Sequence, residues 1–482
     1  MQALQSLNSE VPKQLRKTVR KDQDVFTVFG RWSQAFLTRF EQRQPDNSND
    51  NVSSEDLVLA RRVDSFLSLR GRMRAEDRNI QAVFTGSHVW DTMDNSNTEF
   101  RVSSAYLDYD VFSKGYYTII GRQRVRNSGV FGRFDGIIAG YDFLPFMRGH
   151  IYYGKPIQLI DDRDIDREFW GLKVDIGNRN DALNINLYSI DQTADGISDR
   201  QAFGAGVRYT DKAMTLFGLV DYDFLFKELN LFNFRWGWKY YENAKLNLSY
   251  NRRQLLFVTS ALNNQPLTTK LEDVVNLLTE EGARQLAKDR TGLSETLDIG
   301  NSYQFNRDNQ ISVDLMIFKS SGTITRNDLA NPLPCAPDTP GATQDCVMVN
   351  VTGIPDTGNQ YSLNAQWVSG NLFAQHDLYV FGARLTKYDI YDDIGLFTNV
   401  RLPGFDQWRL SPRLNLTYRS FSKDSATEGS MTSIAPSIGV DYVWKKVWTF
   451  NMDLGVEVVQ YTDKNFDDQV RENLRLGYTY SF

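Results

Sequence analysis

Apolar and polar residues alternate in segment after segment of this chain, up to its last residue, and that alternation leaves few folds open. In Leu474 to Phe482 (LRLGYTYSF), Leu474, Leu476, Tyr478, Tyr480 and Phe482 share one face of a strand, while Arg475, Gly477, Thr479 and Ser481 share the other. Trp408, Leu410, Pro412, Leu414, Leu416 and Tyr418 likewise oppose Arg409, Ser411, Arg413, Asn415, Thr417 and Arg419. Ile434, Ile438, Val440, Tyr442 and Trp444 oppose Ser437, Gly439 and Asp441. After a tight turn at Lys445 and Lys446, Trp448, Phe450, Met452, Leu454, Val456 and Val458 oppose Asn451, Asp453 and Glu457. Strands with one aromatic-tipped apolar face and one polar face suit a wall between lipid and water.

Composition agrees once helices are set aside. The 482 residues are 41% apolar and 24% charged, with a mean hydropathy of -0.44, and no run of eighteen apolar residues occurs. That excludes transmembrane helices but not a barrel, whose alternation dilutes hydrophobicity. The 30 Phe, 23 Tyr and 9 Trp exceed what soluble enzymes of this size carry in short alternating segments, and barrels place such residues in interfacial girdles. A net charge of -6 argues against nucleic acid as a partner. Met1 to Asp22 is polar and charged, without the apolar core of a secretory signal, so an exported protein would be numbered from after a removed leader or an omitted domain.

Twenty-two candidate strands run from 25-43 to 470-482, or 18 to 22 if short segments such as 148-154 and 394-402 are not strands. Tight turns at Ala75 to Arg78, Gly177 to Asp181, Thr210 to Ala213, Asn306 to Asn309 and Lys445 to Lys446 alternate with longer polar connections, as in an up-and-down barrel. The expected fold is therefore all-β, a transmembrane antiparallel barrel over residues 24-482 with an even number of strands. Residues 1-23 form a separate N-terminal segment, a short helix or a linker. Leu271, Val274, Val275, Leu277, Leu278 and Leu286 recur at close to helical spacing, which predicts a helix over 271-288 inside the long loop 253-293. That helix either folds inward as a constriction or caps the loop at the surface. The loop 322-357 holds Cys335 and Cys346, either a disulfide in an oxidising compartment or two free thiols.

The aromatic ending at Phe482, the stretch Gly121 to Gly140 (GRQRVRNSGVFGRFDGIIAG) and Arg252 to Arg290, which contains NQP and RQLAKDR, resemble Gram-negative outer-membrane β-barrels of the porin type. In particular they resemble the C-terminal barrels of proteins whose N-terminal half is tetratricopeptide repeats, and the porin halves of exopolysaccharide export proteins. The resemblance implies an outer-membrane location with both termini periplasmic, contact with outer-membrane lipid and lipopolysaccharide, and terminal aromatics Tyr478, Tyr480 and Phe482 read by the barrel assembly machinery. It further implies a conduit for transport or export, coupled to periplasmic repeats or an envelope assembly; a plugged barrel anchoring such an assembly is the alternative. The sequence itself holds no 34-residue repeat, so the repeats would lie before Met1 or on a partner.

Arginines fall opposite the apolar faces: Arg62, Arg70, Arg72 and Arg74; Arg122, Arg124 and Arg126; Arg409, Arg413 and Arg419; Arg471 and Arg475. Such rows either favour anions in the lumen or pair with inward acids such as Asp314, Asp441, Asp453 and Glu457. Histidines His88, His150 and His376 are far apart, and His88 with Asp91 or Asp94 is the sole nearby combination for acid–base chemistry, so no enzyme is expected. Haem, nucleotide and zinc signatures are missing, so neither cofactor nor metal is expected. The acidic clusters Asp161 to Asp166 and Tyr461 to Asp468 lack the spacing of a calcium loop and read as solvated outer loops.

Overall fold

The computed structural model describes residues 25-44, 55-94, 97-125, 127-157, 163-177, 181-263, 269-324, 353-404, 407-422, 429-463 and 466-482. Residues 1-23, Arg126, Cys335 and Cys346 lie outside them, and so do the expectations that rest on those residues. Twenty-two strands form one antiparallel sheet. In chain order they are β1 (Val25–Gln44), β2 (Glu55–Arg74), β3 (Arg78–Asp91), β4 (Glu99–Val111), β5 (Tyr116–Gln123), β6 (Phe134–Leu144), β7 (Met147–Pro156), β8 (Arg167–Ile176), β9 (Leu183–Ala194), β10 (Ile197–Thr210) and β11 (Met214–Asp223). There follow β12 (Glu228–Tyr241), β13 (Ala244–Arg253), β14 (Ser294–Gln304), β15 (Asn309–Ser320), β16 (Asn359–Gly370), β17 (Leu378–Lys387), β18 (Tyr391–Pro403), β19 (Trp408–Phe421), β20 (Ser430–Trp444), β21 (Trp448–Tyr461) and β22 (Asp468–Ser481). The upper end of the expected count holds, and the short segments 148-154 and 394-402 are full members of the wall as β7 and β18.

Each strand pairs with its sequence neighbours, and β22 returns to pair with β1 from Arg31↔Ser481 to Gln44↔Asp468, which closes the barrel. At this seam Gly30 and Phe482 exchange both backbone hydrogen bonds, at 2.8 and 3.0 Å. The far end of the Phe482 ring occupies the space beside Gly30, where a Cβ would collide with it. A closed ring removes both sheet edges.

Connections from even to odd strands are all short, from two residues at Pro145–Phe146 to seven between β16 and β17, and define one rim. At the turn between β20 and β21, Lys445 and Lys446 both sit in the left-handed region, at φ 51° and 61°, as a tight hairpin requires. The opposite rim carries the long loops, but alternation of length is not strict there. Asp195–Gly196, the four residues between β11 and β12, and the three between β17 and β18 are short loop-rim connections.

Outward positions are apolar and exposed, among them Ile120, Ile151, Trp170, Leu396 and Leu454, an exterior suited to hydrocarbon rather than water. Near the short-turn rim it becomes aromatic: Trp448 packs on Tyr480 with centroids 4.5 Å apart, Trp32 on Tyr478 at 5.3 Å and Trp408 on Tyr442 at 4.7 Å. No helix of the described residues is long and apolar enough to cross a membrane; strands form the wall. Inward rings lie over glycines of the neighbouring strand, Tyr117 over Gly140, Tyr152 over Gly171, Tyr188 over Gly204 and Phe397 over Gly382, so that bulky side chains lie along the wall instead of standing into the lumen.

Candidate functional site

The register of β1 with β2 sets Phe29 opposite Arg70, Thr27 opposite Arg72, Val25 opposite Arg74 and Leu37 opposite Arg62, all on the inner face. β1 adds Arg31 and Arg39, which alternation in β2 alone does not reveal. Between Arg31 and Glu41 on β1 and Arg62 and Arg74 on β2, six inward arginines face two acids, Glu41 and Asp64. Arg62 Nε lies 3.2 Å from Asp64 Oδ1, and Arg72 Nε donates to Asn79 Oδ1 at 2.5 Å. Arg31, Arg70 and Arg72 converge with Phe29, Ser68 and Gln81 on a recess of about 350 Å³. Fixed guanidinium groups of one sign in a wet channel attract anions and fork onto carboxylates or phosphates.

Several arginines on β19 to β22 are tied to carboxylates. Arg419 forks onto Asp393 at 2.7 and 3.0 Å with its guanidinium 3.9 Å from the Tyr391 ring centre. Arg413 Nη2 reaches Asp453 Oδ1 at 3.1 Å. Arg471 bridges Glu41 at 3.0 Å and Glu457 at 3.5 Å across the seam. Arg409 stands opposite Asp441, and Arg475 opposite Asp453. The arginines therefore differ by sector: they are paired with carboxylates on the β19–β22 wall and outnumber the acids on β1 and β2.

The expectation for Arg122 is corrected, while Arg126 lies outside the described residues. Arg122 pairs with Ala105 and Asp135 in register, on the outer face, and forks onto Asp135 at 2.9 and 2.8 Å. Arg124 follows the end of β5 and is exposed. The inner face of β5 instead presents Tyr117 and Ile119, because an apolar layer covers the lumen side of this sector.

That layer is the seat of two segments that fold inward from the loop rim. The first, 124-133, buries Ser128 and Val130 against Phe134, Ile138, Tyr152, Phe169, Ile190 and Ala202, inward residues of β6 to β10. Tyr152 Oη donates to Ser128 O at 2.5 Å, and Gly129, at φ 76°, lies so close to Ile190 and Tyr188 that no Cβ fits. The second is the loop between β13 and β14, with a 3-10 turn at Val258–Leu262 and the expected helix α1 (Leu271–Asp289), broken at Thr279. Leu256, Leu262, Leu271, Val274 and Leu286 bury against Ala194 and Phe226. Lys288 Nζ meets Glu228 Oε1 at 3.0 Å, and Arg290 donates to Ala261 O. Burial pushes the Arg290 guanidinium down to about 10, still protonated at neutral pH. Because its contacts are with inward residues, this segment lies on the lumen side, which decides between constriction and surface cap.

His150 stands on the inner face of β7 between Tyr117 Oη and Asp175 Oδ2, the latter at 2.6 Å. His88 alternates away from Asp91, on the outer face opposite Ser65 and Phe100, so the two form no dyad. His376 lies in the short turn before β17. There Asp377 accepts N–H donors from Leu372, Phe373 and Ala374 at 2.7 to 2.9 Å. Desolvation works against the charge, but these bonds hold the carboxyl below its ordinary range. In the loop between β21 and β22, Asp468 Oδ1 accepts from Tyr461 N at 2.9 Å. Among the described residues no three His, Cys, Asp or Glu side chains gather as metal ligands.

No family model matches the chain, and no curated protein does. Among solved structures it is similar to Pseudomonas aeruginosa OpdQ, with a TM-score of 0.43 and 10% identity over 94% of this chain and 98% of that one. It is also similar to Pseudomonas aeruginosa OprD, with a TM-score of 0.39 and 9% identity over 96% and 97% of the two chains. Acinetobacter baumannii OccAB3 gives a TM-score of 0.39 and 9% identity over 94% and 99%. The resemblance to repeat-fused barrels finds no support in these comparisons.

Proposed function

We infer that this chain is a porin-like conduit in the bacterial outer membrane, with its short turns and both chain ends on the periplasmic side and its long loops outside. One observation carries the reading. Among the described residues, the inward segments cover the wall from β6 to β12, while Arg31, Arg39, Arg70, Arg409, Arg413 and Arg475 on the other side face the lumen exposed. A barrel with a wet, one-sidedly charged inner wall passes solutes, and the arginine excess on β1 and β2 gives this one a preference for anions. Tyr478, Tyr480 and Phe482 serve as the assembly signal, and the apolar exterior meets outer-membrane lipid and lipopolysaccharide. Coupling to periplasmic repeats or an envelope assembly extends the same reading. Single-channel recording of the purified chain in planar bilayers tests it: steady conductance is expected, and silence would favour the plugged anchor.

A further inference from the structure

We propose that Asp199 and Arg200 form one latch that holds both inward segments, so that the constriction opens and closes as a unit. The proposal rests on the conduit reading for its effect on permeation, but not for its geometry. A register shift in β10 lies between Ser198, opposite Thr193, and Arg200, opposite Gln192. The extra residue of such a bulge turns two consecutive side chains to the same side, and both Asp199 and Arg200 are fully buried. Each takes a different segment. Asp199 Oδ1 accepts the Thr259 N–H of the second segment at 2.8 Å, while its Oδ2 accepts from Gln192 Nε2 on the wall at 2.7 Å. Arg200 Nη1 donates to Gly129 O of the first segment.

The guanidinium also joins the two segments to each other. Its carbon lies 4.2 Å from the ring centre of Phe131 in the first segment and 5.9 Å from that of Phe257 in the second. These two rings meet edge to face at 6.3 Å and 87°. A cation over aromatic faces in a desolvated site is held strongly. Behind it, Nη2 forks onto Asp221 at 2.6 and 2.7 Å, and Nε lies 3.7 Å from Asp223 Oδ2. Tyr188 Oη donates to Asp221 at 2.6 Å, and the N–H groups of Leu225 and Phe226 donate to Asp223. The one guanidinium thus compensates two fully buried carboxylates of β11 and presents its remaining donor and face to the segments. Neither segment can leave without stripping contacts from the group that holds the other.

Phe131 and Phe257 are themselves chymotrypsin sites, which allows a test on the purified, membrane-reconstituted barrel. Phe131→Ala and Asp199→Ala each act on one segment and leave the Arg200–Asp221 pair in place. Phe131→Ala is expected to speed cleavage at Phe257 at least fivefold, and Asp199→Ala to do the same at Phe131, with single-channel conductance rising in both. Heat-modifiable migration in gels checks that each variant remains a closed barrel, and Arg200→Met is expected to expose both sites together. Protection of Phe257 in Phe131→Ala, in a closed barrel, would overturn the latch. A wild-type chain silent in bilayers would overturn the conduit reading instead, and the cleavage pattern would still decide the latch.

Discussion

Replacing Arg31, Arg70 and Arg72 together by glutamine should remove most of the anion preference proposed for this barrel. The three line one recess on the inner wall, and their loss lowers the excess of arginine over acid on that stretch of β1 and β2 from four to one. An anion passing about 5 Å from a guanidinium gains roughly 0.8 kcal/mol in water, cut to about 0.5 kcal/mol by a Debye length of ~10 Å at 0.1 M salt. Three such groups give about 1.5 kcal/mol, roughly tenfold in local anion concentration. The assay is the reversal potential of single channels across a potassium chloride gradient, with Asp393→Asn/Arg419→Gln as a control that removes an ion pair at constant lumen charge. The wild type should reverse toward the chloride potential, the triple variant near zero and the control with the wild type. A cation-selective wild type, or a triple variant indistinguishable from it, would refute the reasoning.

Other expectations follow from the seam, the outer face and the turn. Phe482→Ala removes a ring that is 47% exposed, so about half the usual loss for a buried phenylalanine, ~2 kcal/mol, should appear as a lower urea midpoint; Gly30→Val, which drives a side chain into that ring, should reduce the yield of closed barrel in heat-modifiability gels. Arg122→Gln breaks an exposed pair on the outer face, so it should leave the reversal potential unchanged and alter stability by about 1 kcal/mol or less. The depressed Asp377 carboxyl stabilises the turn above its unfolded pKa, and this contribution disappears as pH falls through its lower folded pKa. Asp377→Ala should therefore lower the urea midpoint at pH 7 and differ progressively less from the wild type below pH 4; an equal difference at pH 7 and pH 2.5 would count against the carboxylate.

Much of the wall was legible because its alternation has a period of two wherever lipid lies on one side and water on the other. The C-terminal strands, with Trp408 to Tyr418 outward and Arg409 to Arg419 inward, meet that condition, and their faces agree with the register. β5 does not meet it. Its inner face, Tyr117 and Ile119, packs near a segment of the same chain, so both faces of the strand are apolar and the phase of Arg122 is ambiguous in sequence. The same masking hid Arg200: around it the inner residues Tyr152, Phe169, Ile190 and Ala202 are aromatic or aliphatic, like their outer neighbours, because the segment with Ser128 and Val130 lies on them. A signal was present in consecutive Asp199 and Arg200, two charges side by side in an otherwise alternating strand, which is how a bulge appears in sequence. The short loop-rim turns, such as Asp195–Gly196, also break the expected rule of lengths, and composition alone gives no reason for it.

The seam between Gly30 and Phe482 carries a consequence for biogenesis. Tyr478 Oη donates to Gln34 Oε1 across 444 residues of chain, and bringing ends that far apart together costs about 5 kcal/mol in loop-closure entropy. Each interior strand can zip onto its predecessor locally, but β1 has to keep one hydrogen-bonding edge open until the final strand has been delivered. The ring cannot close before β22 arrives, and deleting β22 would leave the hairpins before it intact while denying the first strand its partner. Closure is thus timed by the arrival of β22, and the edge that waits is the one most in need of a chaperone.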